Sequence, residues 1–290
     1  MSSSTSTTTE FDQDRRTVQV GGWPVSVVDT GGPGPAALFV HGVGTSSYLW
    51  RNVFAALRGE RRCVAIDLPV QGGTPVRPGE DLNLGSLAAF VADCCDVLEL
   101  DGIDLVANDT GGAVAQLVAV GRPQRLRSLT LTNCDTQGNL PPKAFLPAVL
   151  LAKAGLLAPL SRRLLRDPAR AKRRVFGSGY QDLAHLDDDV ARSWLTATSA
   201  TPEAARRFQH LIAGLDDREL RAIEPGLRAL DVPTLIVWGT DDVFFDRKWA
   251  YWLRDTVPGA TEVVEIEGGR LFFPDERAGE LVAALRRHWT

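Results

Sequence analysis

The stretch Leu105-Val106-Ala107-Asn108-Asp109-Thr110-Gly111-Gly112 decides the fold of this chain. Its apolar half predicts a buried strand, and the two glycines predict a sharp turn into a helix. Ala107 and Gly111 flank Asp109 at the spacing small-x-nucleophile-x-small, the strand-turn-helix form called a nucleophile elbow. Choosing Thr110 as the reactive residue would put the larger Asn108 in the first small position, so the register selects Asp109.

An aspartate at this position changes the expected chemistry. The pKa of a free aspartate carboxyl is about 3.9. We therefore expect Asp109 to be ionised at neutral pH and able to attack carbon without help from a general base.

Apolar runs alternate with helical patterns along the rest of the chain, which is typical of a largely parallel sheet covered on both faces. Strands are predicted at residues 17–20, 24–29, 36–40, 62–67, 104–108, 127–133, 233–238 and 261–266. Helices are predicted at residues 48–57, 85–98, 112–120, 246–255 and 276–288. No helix separates the first two strands, so we expect an antiparallel hairpin at one edge of an α/β sheet of eight strands.

Residues 136–231, between the sixth and seventh strands, are rich in Leu, Ala and Arg at helical spacing and show no strand pattern. We interpret this cap segment as a helical cap over the carboxyl edge of the sheet, where open α/β sheets bind ligands. Residues 15–135 and 232–290 then form the core domain. The Ser/Thr-rich start of the chain predicts a disordered lead-in over residues 1–14.

Composition limits the classes of function. A net charge of −4 argues against a nucleic-acid partner. No apolar run is long enough to cross a bilayer and the first residues do not form a secretory signal, so we expect a cytoplasmic protein without a membrane partner. The four cysteines lack metal-ligand spacing, which predicts reduced thiols and no metal site. We expect a small-molecule substrate, no cofactor, and a monomer or homodimer.

A glycine-bearing loop, His41-Gly42-Val43-Gly44, follows the third predicted strand. Such a loop can direct backbone N–H groups at a developing negative charge. The two expected donors are the N–H groups of Val43 and of Thr110, which begins a helix. Further candidates for the oxyanion site or for substrate contact are His41, Gly42, Trp50 and Asn108.

With the elbow and this loop, the chain resembles the α/β-hydrolase superfamily nearly from end to end. The aspartate elbow and residues 45–52 are most similar to haloalkane dehalogenases and epoxide hydrolases. In those families an aspartate forms an alkyl ester, and water activated by a histidine hydrolyses it while a second acid orients the histidine. The superfamily's Gly-x-x-Asp pattern, which begins here at Gly239, implies Asp242 as that acid, with Asp241 as the alternative.

The position of the histidine holds a leucine. Matching Pro274-Asp275-Glu276-Arg277 to the helix start that follows the base in the superfamily puts the base at Leu271, which cannot accept a proton. His41 is expected to be structural, His185 solvated and His288 exposed. His210, on a cap helix, faces the cleft in one interpretation.

Other positions also depart from the two families. Thr110 and Val43 stand where dehalogenases commonly hold the halide with a tryptophan and an asparagine. Tyr180 is the available cap tyrosine for protonating an epoxide, although ordinary packing at a turn beside Gly179 is the favoured interpretation. At the end of the sixth strand, Asn133 or Asp135 can project beside Asp109, and two close carboxylates leave one protonated near neutrality. A second interpretation, in which Asp135 simply starts the cap loop, has equal weight.

Three functions remain open on these residues. The first is a hydrolase-like enzyme that acts on a small apolar molecule through Asp109. The second is a lyase, isomerase or cyclase that moves protons with Asp109 and either Asp135 or Asp242. The third is an inactive, ligand-binding relative. A basic run in the cap segment indicates either a solvated helix face or a surface for an anionic partner: Arg162, Arg163, Arg166, Arg170, Lys172, Arg173 and Arg174.

Overall fold

The computed structural model describes residues 7–32, 34–75, 79 and 81–290. Its strands form one eight-stranded sheet in the order β1-β2-β4-β3-β5-β6-β7-β8. The strands are β1 (Arg15–Val20), β2 (Trp23–Asp29), β3 (Ala36–Val40), β4 (Arg62–Ile66), β5 (Ile103–Asp109), β6 (Leu126–Cys134), β7 (Thr234–Gly239) and β8 (Ala260–Ile266). The β1–β2 and β2–β4 pairs are antiparallel and the other neighbours are parallel. The predicted α/β class, the mostly parallel sheet and the edge hairpin are confirmed.

Helices cover both faces of this sheet. The α-helices of the described residues are α1 (Thr7–Gln13), α2 (Arg51–Leu57), α3 (Leu84–Val97), α4 (Thr110–Gly121), α5 (Leu146–Lys153), α6 (Leu157–Leu164), α7 (Pro168–Phe176), α8 (Asp188–Ser199), α9 (Pro202–Gly214), α10 (Arg218–Leu227), α11 (Lys248–Thr256), α12 (Phe273–Glu276) and α13 (Ala278–His288). Every residue of the inner strands β3 and β7 is buried, which explains their continuous apolar sequences.

The prediction of a disordered lead-in is wrong for the described part of residues 1–14, and residues 1–6 lie outside the described residues. Thr7–Gln13 form α1, whose Phe11 is buried with its ring centroid 5.1 Å from that of Phe54 on α2. The hydroxyl of Tyr48 donates to Asp12 at 2.8 Å. One buried aromatic side chain therefore holds a segment whose average composition is that of a disordered tail.

The cap segment is helical, and its helices α5–α10 follow β6. Trp194 Nε1 donates to Ser46 Oγ at 2.9 Å, and Phe208 Cζ lies 3.8 Å from the place a Cβ would take on Gly44. The rings of Tyr180 and Phe272 have centroids 5.1 Å apart. Because Ser46, Gly44 and Phe272 belong to loops after β3 and β8, the cap segment contacts the carboxyl edge of the sheet.

Within the described ranges, no single helix is long and apolar enough to cross a membrane. The helical stretches Lys143–Lys153 and Leu157–Leu164 meet the criterion of length and hydropathy only when taken together, and they are bent by 106°.

Candidate active site

The turn between β5 and α4 holds Asp109 in a strained backbone conformation. Its φ of 56° and ψ of −133° are values that residues with a Cβ rarely adopt, at a cost of about 1–3 kcal/mol. A Cβ on Gly111 would lie 2.4 Å from the carbonyl oxygen of His41. The small residue predicted at position 111 is therefore a steric requirement of this turn, which places Asp109 at the carboxyl edge of the sheet.

The Asp109 carboxyl lies against the loop that follows β3. A Cβ on Gly42 would come within 2.3 Å of Asp109 Oδ2, so only glycine leaves room for this carboxyl. The backbone N–H groups of Val43 and Thr110 are close enough to this carboxyl to lower its pKa. The two donors expected from the sequence thus converge, and the group on which they converge is Asp109 itself.

Asp242 lies beside this group on the loop that follows β7. Its Oδ2 accepts a hydrogen bond from Asn133 Nδ2 at 2.5 Å, and its Oδ1 accepts one from the Phe244 N–H at 2.7 Å. Asp241 is exposed instead. The structure therefore distinguishes two adjacent aspartates that the sequence motif left open. Asn133, which was expected to project into the cleft, is fully buried and positions Asp242.

Asp135 is the third carboxyl of the cluster and follows β6. Thr110 Oγ1 donates to Asp135 Oδ2 at 2.9 Å, whereas Asp135 Oδ1 is buried without a hydrogen-bond partner among the described residues. A buried carboxylate oxygen without a donor is costly, so this position favours the protonated acid.

Proximity of the three carboxyls changes their protonation. Burial, followed by the negative charges of Asp135 and Asp242, raises the pKa of Asp109 well above its usual range, although the N–H groups of Thr110 and Val43 oppose this. Burial raises the pKa of Asp135 to about 7 and that of Asp242 to about 6. The expectation of a simply ionised Asp109 is wrong, because the cluster shares protons near neutrality.

These raised values predict how the stability of the protein depends on pH. A carboxyl whose pKa is higher in the folded than in the unfolded chain stabilises the fold below its unfolded pKa, and this contribution is lost as pH rises through the folded pKa. From about pH 4 to pH 7 the folded protein binds the Asp135 proton more tightly, so the free energy of unfolding should fall. We expect Asp135→Asn to be more stable relative to wild type at pH 8 than at pH 4, by on the order of 2–4 kcal/mol.

Urea denaturation of both proteins at the two pH values measures this difference. Any constant cost of placing an asparagine at position 135 cancels, because only the change with pH is compared. The exposed Asp241→Asn serves as the matched control and should follow wild type. An Asp135→Asn curve parallel to wild type across this range would show that Asp135 does not hold a proton in the fold.

Access to the site differs among the three carboxyls. Asp109 and Asp242 lie deep in the molecule, yet each keeps some solvent-accessible surface. Asp135 is 1% exposed. A substrate or a water molecule can therefore touch the first two, while Asp135 acts on them through its charge and its proton.

Leu271 is the residue that the sequence motif matched to the superfamily's base position, and it lies in the loop after β8. The leucine is buried, and its carbonyl oxygen accepts a hydrogen bond from Asn108 Nδ2 at 3.1 Å. His210 is exposed on α9, and across the described residues no hydrogen bond or ion pair joins it to Asp109 or Asp242. His185 is exposed as expected, whereas the expectation of an exposed His288 is wrong because it is about half buried.

Three residues expected in the oxyanion or substrate site are parts of the core instead. Trp50 is fully buried against Phe39, with ring centroids 5.3 Å apart. Asn108 is fully buried and uses its amide to join β6 to the Leu271 loop. His41 is fully buried between Leu68, whose N–H donates to its Nε2 at 2.9 Å, and the carbonyl of Gly42. Burial lowers the pKa of His41, so the imidazole is neutral and has a structural role between these two loops.

Tyr180 is also a structural residue. Its hydroxyl is buried and donates to Asp275 Oδ2 at 2.8 Å, and Asp275 is paired with Arg51 at 2.7 Å. Burial, and then the Asp275 charge, raises the pKa of Tyr180 far above its ordinary value. This buried cluster connects the cap segment to α2 and α12. The Tyr180 hydroxyl already donates its proton to Asp275, so it is not free to protonate an epoxide.

Removing that hydroxyl tests the assignment. Tyr180→Phe leaves one Asp275 oxygen without its donor, so the free energy of unfolding should fall by about 1–3 kcal/mol. Turnover of any substrate of this site should stay within a few fold of wild type. Chemical denaturation and steady-state kinetics measure the two effects. A large loss of kcat in a folded variant would make Tyr180 part of the reaction.

Arg270 is a neighbour of the site that sequence reasoning missed. Its positive charge lowers the pKa of Asp242 against the effect of burial, and its Nη1 donates to the Tyr180 carbonyl at 3.1 Å. Its position next to Leu271 was the one feature of the sequence that could have pointed to Arg270. The loop after β8 places its charge near Asp242, and the sequence does not predict the path of that loop.

Comparison with known proteins agrees with this architecture. Residues 35–277 match the model of the alpha/beta hydrolase fold family. A 2-hydroxy-6-oxo-2,4-heptadienoate hydrolase of Pseudomonas putida is 30% identical over 229 residues, which cover 73% of this chain and 82% of the relative. Haloalkane dehalogenase 2 of Mycobacterium tuberculosis is 28% identical over 269 residues, which cover 88% of this chain and 87% of the relative.

Solved structures show the same fold. The haloalkane dehalogenase DatA of Agrobacterium tumefaciens C58 has a TM-score of 0.78 at 22% identity, over 94% of each chain. The epoxide hydrolase CorEH has a TM-score of 0.78 at 17% identity, over 95% of this chain and 98% of its own. The resemblance to the α/β-hydrolase superfamily that the motifs indicated is thereby confirmed, with sequence similarity to haloalkane dehalogenases and a shared fold with an epoxide hydrolase.

Proposed function

The chain belongs to the alpha/beta hydrolase fold family, and on that basis we propose that it is a hydrolase-like enzyme that acts on a small, largely apolar molecule through Asp109. One observation carries this proposal: the Asp109 carboxyl lies against Gly42 in the loop after β3, and the backbone N–H groups of Val43 and Thr110 are close enough to lower its pKa. For a serine nucleophile, such donors hold the carbonyl oxygen of the substrate. Here an ester formed on Asp109 would keep its own carbonyl oxygen between them.

The proposed first step is displacement at a saturated carbon. When Asp135 holds the shared proton, a carboxylate oxygen of Asp109 forms the new bond to that carbon, and the leaving group departs with the electron pair of the bond that breaks. A halide needs no proton, whereas an epoxide oxygen takes one from a protonated member of the cluster. Val43 and Thr110 have no side-chain N–H group with which to hold a halide, so both alkyl halides and epoxides are candidate substrates.

The proposed second step is hydrolysis of the Asp109 ester. Asp242 is the group best suited to accept the proton of water, because it is accessible and its pKa of about 6 leaves it mostly ionised at neutral pH. Hydroxide adds to the ester carbonyl while Val43 and Thr110 stabilise the oxyanion. Collapse of this intermediate breaks the ester C–O bond, and the departing alkoxide takes the proton back from Asp242 and leaves as the alcohol. A carboxylate is a weaker base than imidazole, so the ester should be long-lived.

Intact-mass spectrometry tests the proposal. We expect that exposure to a panel of alkyl halides and epoxides gives an adduct of the alkyl mass, mapped by peptide sequencing to Asp109. Substrate turnover in water enriched in oxygen-18 should place the label first in Asp109 and then in the alcohol. Turnover without an adduct, and without label in the protein, would contradict the covalent route.

A second candidate is favoured by the shared protons of the carboxyl cluster. A buried acid and a buried carboxylate side by side can protonate and deprotonate one substrate, as in a lyase, isomerase or cyclase. Such an enzyme gains from the leucine at position 271, because hydrolysis would be a side reaction. Product that lacks solvent oxygen, with turnover that Asp109→Asn abolishes, would select this function, and ligand binding without any turnover would indicate an inactive relative.

A further inference from the structure

The outer face of the cap segment exposes four leucines on two neighbouring helices. Leu146 and Leu150 on α5 are 41% and 65% exposed, and Leu156 and Leu160 at the start of and within α6 are 54% and 47% exposed. We call these four residues the leucine surface. Clusters of large apolar side chains are unusual on a protein surface and mark a place of contact.

Basic side chains continue the leucine surface on both helices. Lys153 follows Leu150 by three residues, and Arg163 follows Leu160 by three, so each helix carries leucine, leucine and a basic residue at the spacing i, i+4, i+7. Residues at this spacing share one face of a helix. Both helices are exposed at these positions.

The charge of this region is strongly asymmetric. Residues 143–175 contain nine basic residues and one acidic residue, in a chain whose net charge is −4. Among the ion pairs of the described residues, none involves Lys143, Lys153, Arg162, Arg163 or Arg166. Asp216, which lies near Lys153, is paired with Arg218 at 2.7 Å. The positive charge beside the leucines is therefore not neutralised by the protein itself.

We propose that the leucine surface, with the adjacent basic residues Lys153 and Arg163, docks on the surface of an anionic phospholipid bilayer. Leucines inserted at the level of the headgroups with lysines and arginines beside them form the pattern of helices that lie in a membrane interface. In a symmetric contact with a second copy, this basic region would face the same basic region and repel it, so the charge favours an anionic lipid surface. The expectation of no membrane partner rested on the lack of a membrane-spanning segment. Binding at the membrane surface by two helices that lie at 106° to each other needs no such segment.

This surface is coupled to the candidate site by one helix. The Ala158 N–H of α6 donates to Gln209 on α9 at 2.9 Å, and the adjacent Phe208 reaches the loop that carries Val43 and Gly44. When the cap segment is docked, the part of the site beneath it therefore lies near the lipid bilayer, in which apolar molecules accumulate. The proposal does not depend on the reaction performed by Asp109.

Vesicle co-sedimentation of the full chain tests the proposal. We expect binding to vesicles in which a third of the phosphatidylcholine is replaced by phosphatidylglycerol, and little binding to phosphatidylcholine alone. Raised salt should weaken it. Leu150→Ser/Leu160→Ser should lower the partition constant by about a hundredfold. Arg162→Gln/Arg163→Gln should lower it by about twenty-fivefold, because each basic residue near an anionic surface contributes about fivefold.

Val97→Ser is the matched control, since Val97 is similarly exposed but lies on α3. It should bind as wild type does, and circular dichroism should show all variants folded. Absence of binding to anionic vesicles, or unchanged binding of the serine double variant, would overturn the proposal. So would sedimentation velocity showing self-association that Leu150→Ser/Leu160→Ser abolishes, because the surface would then be an interface between two copies.

Discussion

Replacement of Asp109 by asparagine should lower kcat by about 10⁴–10⁶-fold, the range seen when a nucleophile or its partner is removed from a hydrolase. Asparagine keeps the shape of the side chain and its place beside Gly42, but it removes the oxygen that attacks carbon. No alkyl adduct should form on the variant. Steady-state kinetics and intact-mass spectrometry measure the two losses.

Stability separates this result from simple unfolding. Asp109 lies in a cluster of buried carboxyls, so removing its negative charge relieves repulsion with Asp135 and Asp242. The variant should therefore be at least as stable as wild type at pH 8, in spite of its loss of activity. Asp241→Asn, on the exposed side of the loop after β7, is the matched control and should keep full turnover. Turnover retained in a pure Asp109→Asn protein would exclude Asp109 as the reacting group.

Replacement of Leu271 by histidine should accelerate decay of the Asp109 ester by about 10²–10⁴-fold, the usual contribution of a positioned general base. The backbone of Leu271 is held by Asn108, so the new imidazole would start from the position at which the superfamily places its base. Asp242 is the acid available to orient it. Pulse-labelling with an alkylating substrate, followed by mass spectrometry over time, measures the decay.

Leu271→Asn distinguishes base catalysis from a loosened site. Asparagine is polar and similar in size but cannot accept a proton at neutral pH, so the ester on this variant should decay at the wild-type rate. Both variants lose apolar contacts of a buried leucine, and a fall of about 1–3 kcal/mol in unfolding free energy is expected for each. Equal acceleration by histidine and asparagine would show that water access, rather than proton transfer, limits the second step.

Local patterns were sufficient for most of the fold. The predicted limits of β3 match the structure, and those of the other strands differ from it by at most two residues at either end. Buried parallel strands carry continuous apolar runs, and the elbow needs a small residue at Gly111, so both features are written in adjacent residues. The helix Thr7–Gln13 was missed because its stability comes from Phe11 packing against residues more than thirty positions away.

The residues of the candidate site were also predicted only in part from the sequence. Asp109, Val43 and Thr110 could be identified from motifs, because the chain turns that aim them are local. Trp50 and Asn108 were assigned to the substrate site because of their places beside these motifs, yet both side chains turn into the core. Arg270 had no motif of its own. A side chain's direction at the end of an element depends on the neighbouring layer, which residue spacing does not describe.

The sequence by itself determined that this chain is an α/β protein, and it predicted an aspartate on a nucleophile elbow and a leucine at the position of the histidine. Only the tertiary structure decided how protons are held there. The carboxyls of Asp109, Asp135 and Asp242 come from the ends of three strands and meet in a buried space, where burial and mutual repulsion raise the pKa of each. The pKa of a group is set by its surroundings in space, and those exist only once the strands are side by side.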